Sequence, residues 1–283
     1  QYAIREVIYR IGTYTNRAGG EIGFVETMYA IMLKEGKNQL VIDAGMNVGF
    51  FSLFAATMGF TVHSYEVNPN CVSYASGLID MNDMSKMVTI VKAGLGGIRE
   101  RVPIPVVSGC GGGTQVQHSE NLRTTNQIDL LTLDGLYFYT NTNILFLKID
   151  IEGEEFNTLR GATLMLEFQR IKHVFMEFQP SVYKNDWDYL EEGLNFIINH
   201  GYTVYQTYTW TRCNEFDGLE KIWPHPLGIA GPDIDEDWTT RVHRGENAGK
   251  LHKLVDVKKY VRSFKNYGKA AGSNLWITSN NYT

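Results

Sequence analysis

The sequence predicts an α/β fold in which a mainly parallel sheet carries helices on both faces. Three observations predict it. Short apolar runs alternate with helical patterns from residue 40 to residue 208, the rhythm of strand–helix–strand crossovers. The runs are apolar at consecutive positions, as strands buried on both faces must be. Hydrophobic residues make up 43% of the 283 and charged residues 20%, a balance that supports a core and excludes a disordered or collagen-like chain.

Each element has its own signal. Leu40-Val41-Ile42 is a buried strand run ending at Asp43. A helical pattern follows over 50–58, then a second strand over 61–66. Asn68-Pro69 opens the next helix, which runs to about Asn82; asparagine caps free amides, and proline is tolerated in a first turn. Residues 88–92 form a third strand and 143–150 a fourth. A helix over 154–168 is interrupted near Gly161, and 173–178 is a fifth strand. Residues 186–200 are helical and 202–208 form a sixth strand. The run 274–279 (NLWITS) is a seventh, with no room for a helix after it, which fits an antiparallel partner for the sixth.

Two stretches break the rhythm. Residues 96–136 hold short alternating runs, expected as extra strands or hairpins. Residues 209–272 are rich in Trp, Pro and charge. A connection of that length is usually functional or folded on its own, so it reads as a cap inserted in a domain over 39–283. Residues 1–38 read as an N-terminal helical or cap segment. At roughly 100–200 residues per domain, the length fits one large domain with an insertion.

Composition excludes several function classes. The formal net charge is −5, without a basic block of the kind that tracks a phosphate backbone, so no nucleic-acid partner is expected. No apolar run reaches the ~18–20 residues of a membrane span. Cys71, Cys110 and Cys213 lie in no C-x-x-C pair, which argues against a disulfide framework or a cysteine zinc site. Few cysteines and no visible leader favour a cytoplasmic location, although the chain starts at Gln1 and a preceding segment cannot be judged.

Parallel sheets bind ligands at the carboxyl ends of their strands. The first strand ends in Asp43-Ala44-Gly45-Met46-Asn47-Val48-Gly49. This D-x-G-x-x-x-G is not the G-x-G-x-x-G of dinucleotide sites. A carboxylate before the turn suits a cationic ligand better than a pyrophosphate; a tight turn without a ligand is the plainer alternative. The second strand ends in Glu66, placed to accept both hydroxyls of a ribose. The third ends in a glycine-rich stretch around Gly94, either room for a flat base or an ordinary turn. The fourth ends in Lys148-Ile149-Asp150-Ile151-Glu152-Gly153-Glu154-Glu155. Strand alternation would put Lys148, Asp150 and Glu152 on one face. Paired carboxylates there could share a general base or hold a hard cation. The plainer alternative makes Asp150 a helix cap, with Glu154 and Glu155 solvated in the first turn. Glu177 stands in an otherwise apolar fifth strand. No nucleophile elbow, P-loop or close histidine pair occurs; His118, in the loop before the fourth strand, is the one histidine kept as a candidate.

The segments VIDAGMNVGFFSLFAA at 41–56, YEVNPN at 65–70, LLTLDGL at 130–136 and LKIDIEGEEFNTLRGA at 147–162 together resemble the FkbM family of class I S-adenosylmethionine-dependent methyltransferases. The resemblance covers about residues 39–182. It implies a Rossmann-like sheet of seven strands with only the last antiparallel. It implies S-adenosyl-L-methionine as cofactor, with Asp43, Gly45, Asn47 and Gly49 around its methionine. Glu66 would hold the ribose, with Val67 and Asn68 near the adenine. Asp150, Glu152 and Gly153 would face methyl donor and acceptor. O-methylation of a small molecule or glycan is the expected reaction, with Asp150 or Glu152 as base and His118 in reserve.

Alternatives stay open at this point. Asp150, Glu152 and Glu177 could hold Mg²⁺ in a metal-assisted variant, though no metal is expected. The fold could bind a nucleotide-like ligand without chemistry. Trp210, Trp223, Trp238 and Tyr208 could stack on an acceptor, but more readily form the cap's own small core. Acceptor and oligomeric state are not legible.

Overall fold

The computed structural model describes residues 22–104, 109–110, 126–209, 216–222, 251–267 and 271–281. They fall into two compact units. The first holds Lys37–His173; the second holds the described residues before Gly36 and from Val174 onward.

In the first unit, strand β1 (Leu40–Ala44) lies between β2 (Thr61–Tyr65) and β7 (Ile144–Ile149), with β3 (Val88–Val91) outside β2. All three pairings are parallel. All six residues of β7 are buried, which is why its sequence is apolar without alternation. The helix Phe50–Thr57 buries Ser52 through Ala56. The helix Pro69–Met81 starts where expected: the Asn68 side chain accepts from the Asn70 amide, with proline in the first turn. Its Val72 and Ala75 pack with Met46 and Ile90.

The extra strands expected within 96–136 are present. β4 (Gly94–Leu95), β5 (Glu100–Ile104) and β6 (Asn126–Leu131) form a separate three-stranded sheet in the order β4-β6-β5. The LLTLDGL run continues into a five-residue π-helical turn, Asp134–Phe138. The Asp134 carboxylate accepts from the amides of Leu164 and Met165, capping the short helix Thr163–Glu167 from a distance. The interruption near Gly161 separates that helix from Glu155–Arg160. A Cβ on Gly161 would lie 2.1 Å from the Gly96 carbonyl oxygen, so no larger residue fits there.

In the second unit, β12 (Ser273–Ser279) runs antiparallel to β9 (Tyr202–Thr209), as expected for the last strand. The strands follow the order β10-β11-β9-β12-β8, where β8 is Ile171–Phe178, β10 Leu219–Ile222 and β11 Leu251–Leu254. Among the described residues the large sheet has nine strands, so the expected count of seven is corrected. The pairs β10/β11, β11/β9 and β12/β9 are all antiparallel. Antiparallel pairing is therefore not confined to the last strand, and the sheet is mixed. The two additional strands come from the stretch read as a cap. At four residues each, they are too short to show a period. Between them and β12 lies the helix Val257–Ser263, whose Tyr260 joins Phe216, Phe264 and Phe178 in an aromatic cluster. The amphipathic helix Trp187–Asn199 is capped by Asp186, whose side chain accepts from Tyr189, and buries Leu190, Leu194 and Ile197. Trp210, Trp223, Trp238 and the Tyr208 side chain lie outside the described residues.

Among the described residues no helix is long and apolar enough to cross a membrane.

Candidate active site

Apart from Glu177, which lies in β8 of the second unit, the candidate residues that the structure describes lie at the carboxyl ends of the first unit's parallel strands. The turn after β1 is tight because three residues take left-handed backbone angles: Gly45 (φ 76°), Asn47 (φ 51°) and Gly49 (φ 85°). Gly45 is sterically required. A Cβ there would stand 1.8 Å from the Asp150 carbonyl oxygen, so the loops after β1 and β7 touch backbone to backbone. The Gly45 and Met46 amides both donate to the Tyr65 carbonyl, which ties the turn to the end of β2.

Glu66 is buried, and both carboxylate oxygens accept backbone amides. Oε2 takes Asn47 N and Oε1 takes Asn68 N, each at 2.8 Å. A carboxylate offers about four acceptor positions, of which these two bonds, among the described residues, take two. The Asn68 side chain is committed elsewhere: it caps its helix through Asn70 N and donates to the Gly109 carbonyl at 3.2 Å. Gly94 is explained by packing, since a Cβ there would lie 2.5 Å from Leu130 Cδ2 and 3.2 Å from Val67 Cγ1. The space expected for a flat base is filled at that point by side chains.

Lys148 is the residue whose importance the sequence did not reveal. It is buried in β7. Its ammonium donates to the carbonyls of Gly45 (2.7 Å) and Ala44 (3.3 Å). It also sits 3.3 Å from Asp43 Oδ1 and 3.6 Å from Asp150 Oδ2. Burial disfavours its charge, but the carboxylates of Asp43, Asp150 and Glu66 outweigh that penalty, and the ammonium is held above the ordinary lysine range. Asp43 is itself 1% exposed and accepts from Ser52 Oγ at 2.6 Å. Its carboxylate is thus engaged within the protein, while the Asp150 side chain is 44% exposed. The available signal was a lysine inside an otherwise apolar strand run.

The expected alternation past β7 does not hold. The strand ends at Ile149, and Glu152 (φ 57°) and Gly153 (φ 113°) turn left-handed, so Glu152 does not continue the face of Lys148. The plainer reading of the next acids is also corrected. Glu155 is buried, not solvated, because its carboxylate accepts the amides of Ile151 and Gly153 and folds the loop. Glu154, also buried, accepts from the Asn157 side chain. His118 lies outside the described residues. Among the described residues no group of three or more His, Cys, Asp or Glu is placed to hold a metal ion.

A disulfide joins Cys71, in the first turn of the helix after Asn68, to Cys110. No local motif announces it, because its partners are 39 residues apart. Disulfides persist in oxidising compartments, so the cysteines no longer favour a cytoplasmic location.

The chain is similar to methyltransferase FkbM from Methylobacillus flagellatus KT, at 16% identity over 59% of this chain and 39% of that one, with a TM-score of 0.42. It thus spans about two fifths of that structure's length. It is also similar to an rRNA methylase from Streptococcus thermophilus (12% identity, 68% of this chain and 88% of that one, TM-score 0.40). A third is M. capricolum TrmK in complex with S-adenosylhomocysteine (8% identity, 90% and 68%, TM-score 0.37). No curated protein matches. The methyltransferase FkbM domain matches residues 43–204, which takes in the carboxyl ends of β1, β2, β3 and β7 and more than half of the sequence, and the chain belongs to that family.

Proposed function

We propose that the chain transfers a methyl group from S-adenosylmethionine to a hydroxyl of a sugar or small natural product. The observation that carries this reading is the division of labour among the first unit's carboxylates. Among the described residues Glu66 is fixed by two amides with acceptor positions to spare, and Asp150 is half-exposed with Lys148 holding one of its oxygens. The donor set fits the cofactor. A diol suits Glu66, and the tight glycine turn after β1 would carry the methionine portion. On this reading Asn47, Val67 and Asn68 would lie on the adenosine side and Asp43, Gly45 and Gly49 on the methionine side, whereas Gly94 is taken up by packing against Leu130 and Val67. Asp43 acts there through Lys148 rather than by touching the ligand.

When bound, S-adenosylmethionine supplies an electrophilic methyl group on a sulfonium. The Asp150 carboxylate would take the acceptor's hydroxyl proton as the new carbon–oxygen bond forms and the methyl–sulfur bond breaks, S-adenosylhomocysteine being the leaving group. Lys148 keeps the carboxylate oriented, and positioning carries much of the rate. Glu152, on the turn after it, is the second candidate for the proton, and His118 the third.

Titration with S-adenosylmethionine, S-adenosylhomocysteine and NAD tests the cofactor. Binding of the first two without the third supports the reading, and binding of neither removes it. Asp150→Asn should lower kcat by about 10²–10⁴-fold with cofactor affinity nearly unchanged; equal losses in both would overturn the base assignment. Activity should survive EDTA. Its loss would favour the Mg²⁺-assisted variant.

A further inference from the structure

We propose that the Cys71–Cys110 disulfide positions the cofactor-binding loops, so that cofactor affinity depends on thiol redox state. The inference rests on the S-adenosylmethionine reading above. Its basis is a continuous chain of contacts. Cys71 is buried at 1% exposure in the helix that Asn68 caps, and Cys110 is partly exposed. The Gly109 carbonyl, next to Cys110, accepts from Asn68 Nδ2. The Cys110 sulfur lies 3.2 Å from Asn47 Oδ1; a disulfide sulfur has no proton to donate, so this is a packing contact. Asn47 and Asn68 are the two residues whose amides hold the oxygens of Glu66. The disulfide therefore fixes residues 109–110 against both supports of the proposed ribose acceptor. Asn47 also sits in a left-handed turn, where its conformation depends on what packs around it.

Reduction would proceed by thiol–disulfide exchange. A thiolate of a dithiol reductant attacks the more exposed Cys110 sulfur, the S–S bond breaks, and Cys71 leaves as a thiolate that takes up a proton. The reductant's second thiol then closes on the mixed disulfide and releases Cys110. Two electrons and two protons pass to the protein sulfurs, and the reductant ends as its own disulfide. Among the described residues, a hydrogen bond and a packing contact would then be what ties residues 109–110 to the site. The loss of preorganisation would appear as weaker binding.

The test uses the full chain purified without reductant. Alkylation and peptide mass spectrometry, before and after dithiothreitol, report the state of each cysteine. Calorimetry with S-adenosylhomocysteine is run on both forms, with far-UV circular dichroism to confirm that each is folded. Affinity should fall roughly tenfold or more on reduction and recover on reoxidation, with KM for S-adenosylmethionine rising more than kcat falls. The double variant Cys71→Ser/Cys110→Ser should bind as weakly as the reduced protein and ignore the reductant, whereas Cys213→Ser should respond like the unaltered chain. Equal affinity in both redox states overturns the inference and leaves the cofactor reading standing. Free thiols at both positions before reduction also overturn it. Binding to neither form overturns the cofactor reading, and the inference with it.

Discussion

Lys148 is a charge inside a strand with no exposed residue, and its neighbours determine what it can do. Removing the ammonium would leave Asp43 buried without its counter-ion, a loss of about 3–5 kcal/mol for a broken buried pair. Lys148→Met should show that loss in urea unfolding, and cofactor affinity should fall because the Gly45 carbonyl loses its donor. The sign of the pH dependence follows from the raised value. The contribution is fully present below the ordinary lysine pKa of about 10.4 and is lost as pH rises through the higher folded value, so the lysine is charged at neutral pH and gives up its proton only in alkali. Gly45 is the second sensitive position. Gly45→Ala adds a carbon 1.8 Å from a carbonyl oxygen at a positive φ, so the loops after β1 and β7 must separate. The expected result is a lower melting temperature and loss of S-adenosylhomocysteine binding in calorimetry. The glycine was legible from its motif. The lysine was not, because its meaning depends on carboxylates that are distant in sequence.

At the scale of elements, β2 and the π-helical turn are joined by a hydroxyl network. Tyr137 Oη lies 2.6 Å from Tyr65 Oη and 2.7 Å from His63 Nδ1. Burial lowers the His63 pKa and raises that of Tyr137. Neutral His63 can accept from the phenol, and a protonated ring cannot. Its contribution is thus fully present above the ordinary histidine value of about 6.5 and is lost as pH falls through the lower folded value. Urea midpoints should drop as pH falls below about 6.5, and His63→Gln should flatten that slope. The elements themselves were largely legible. The strands and helices from Leu40 to Ser279 that have strong apolar periods begin and end within a few residues of their expected positions, because burial on both faces leaves a continuous apolar run. β10 and β11 were hidden because four residues of mixed polarity carry no period.

For the whole molecule, the disulfide is the one covalent tie that composition hid. It closes a loop between residues 39 apart, for which chain entropy suggests a contribution of about 2–4 kcal/mol. Urea unfolding with and without dithiothreitol should differ by that amount. An unchanged midpoint would mean that the bond does not constrain the unfolded chain. This stability loss is separate from the affinity change at the cofactor loops, which is measured on folded protein.

The α/β class, the positions of the main strands along the chain, the antiparallel last strand and the two glycine turns followed from sequence alone. Each is a local consequence of burial period or backbone sterics. The tertiary structure decided the rest: the ion pairs around Lys148, the double amide clamp on Glu66, the left-handed turn that takes Glu152 off the strand face, the Cys71–Cys110 bond and the two short added strands. These depend on residues far apart in the chain, and only folding brings a lysine within reach of its carboxylates or one sulfur against another.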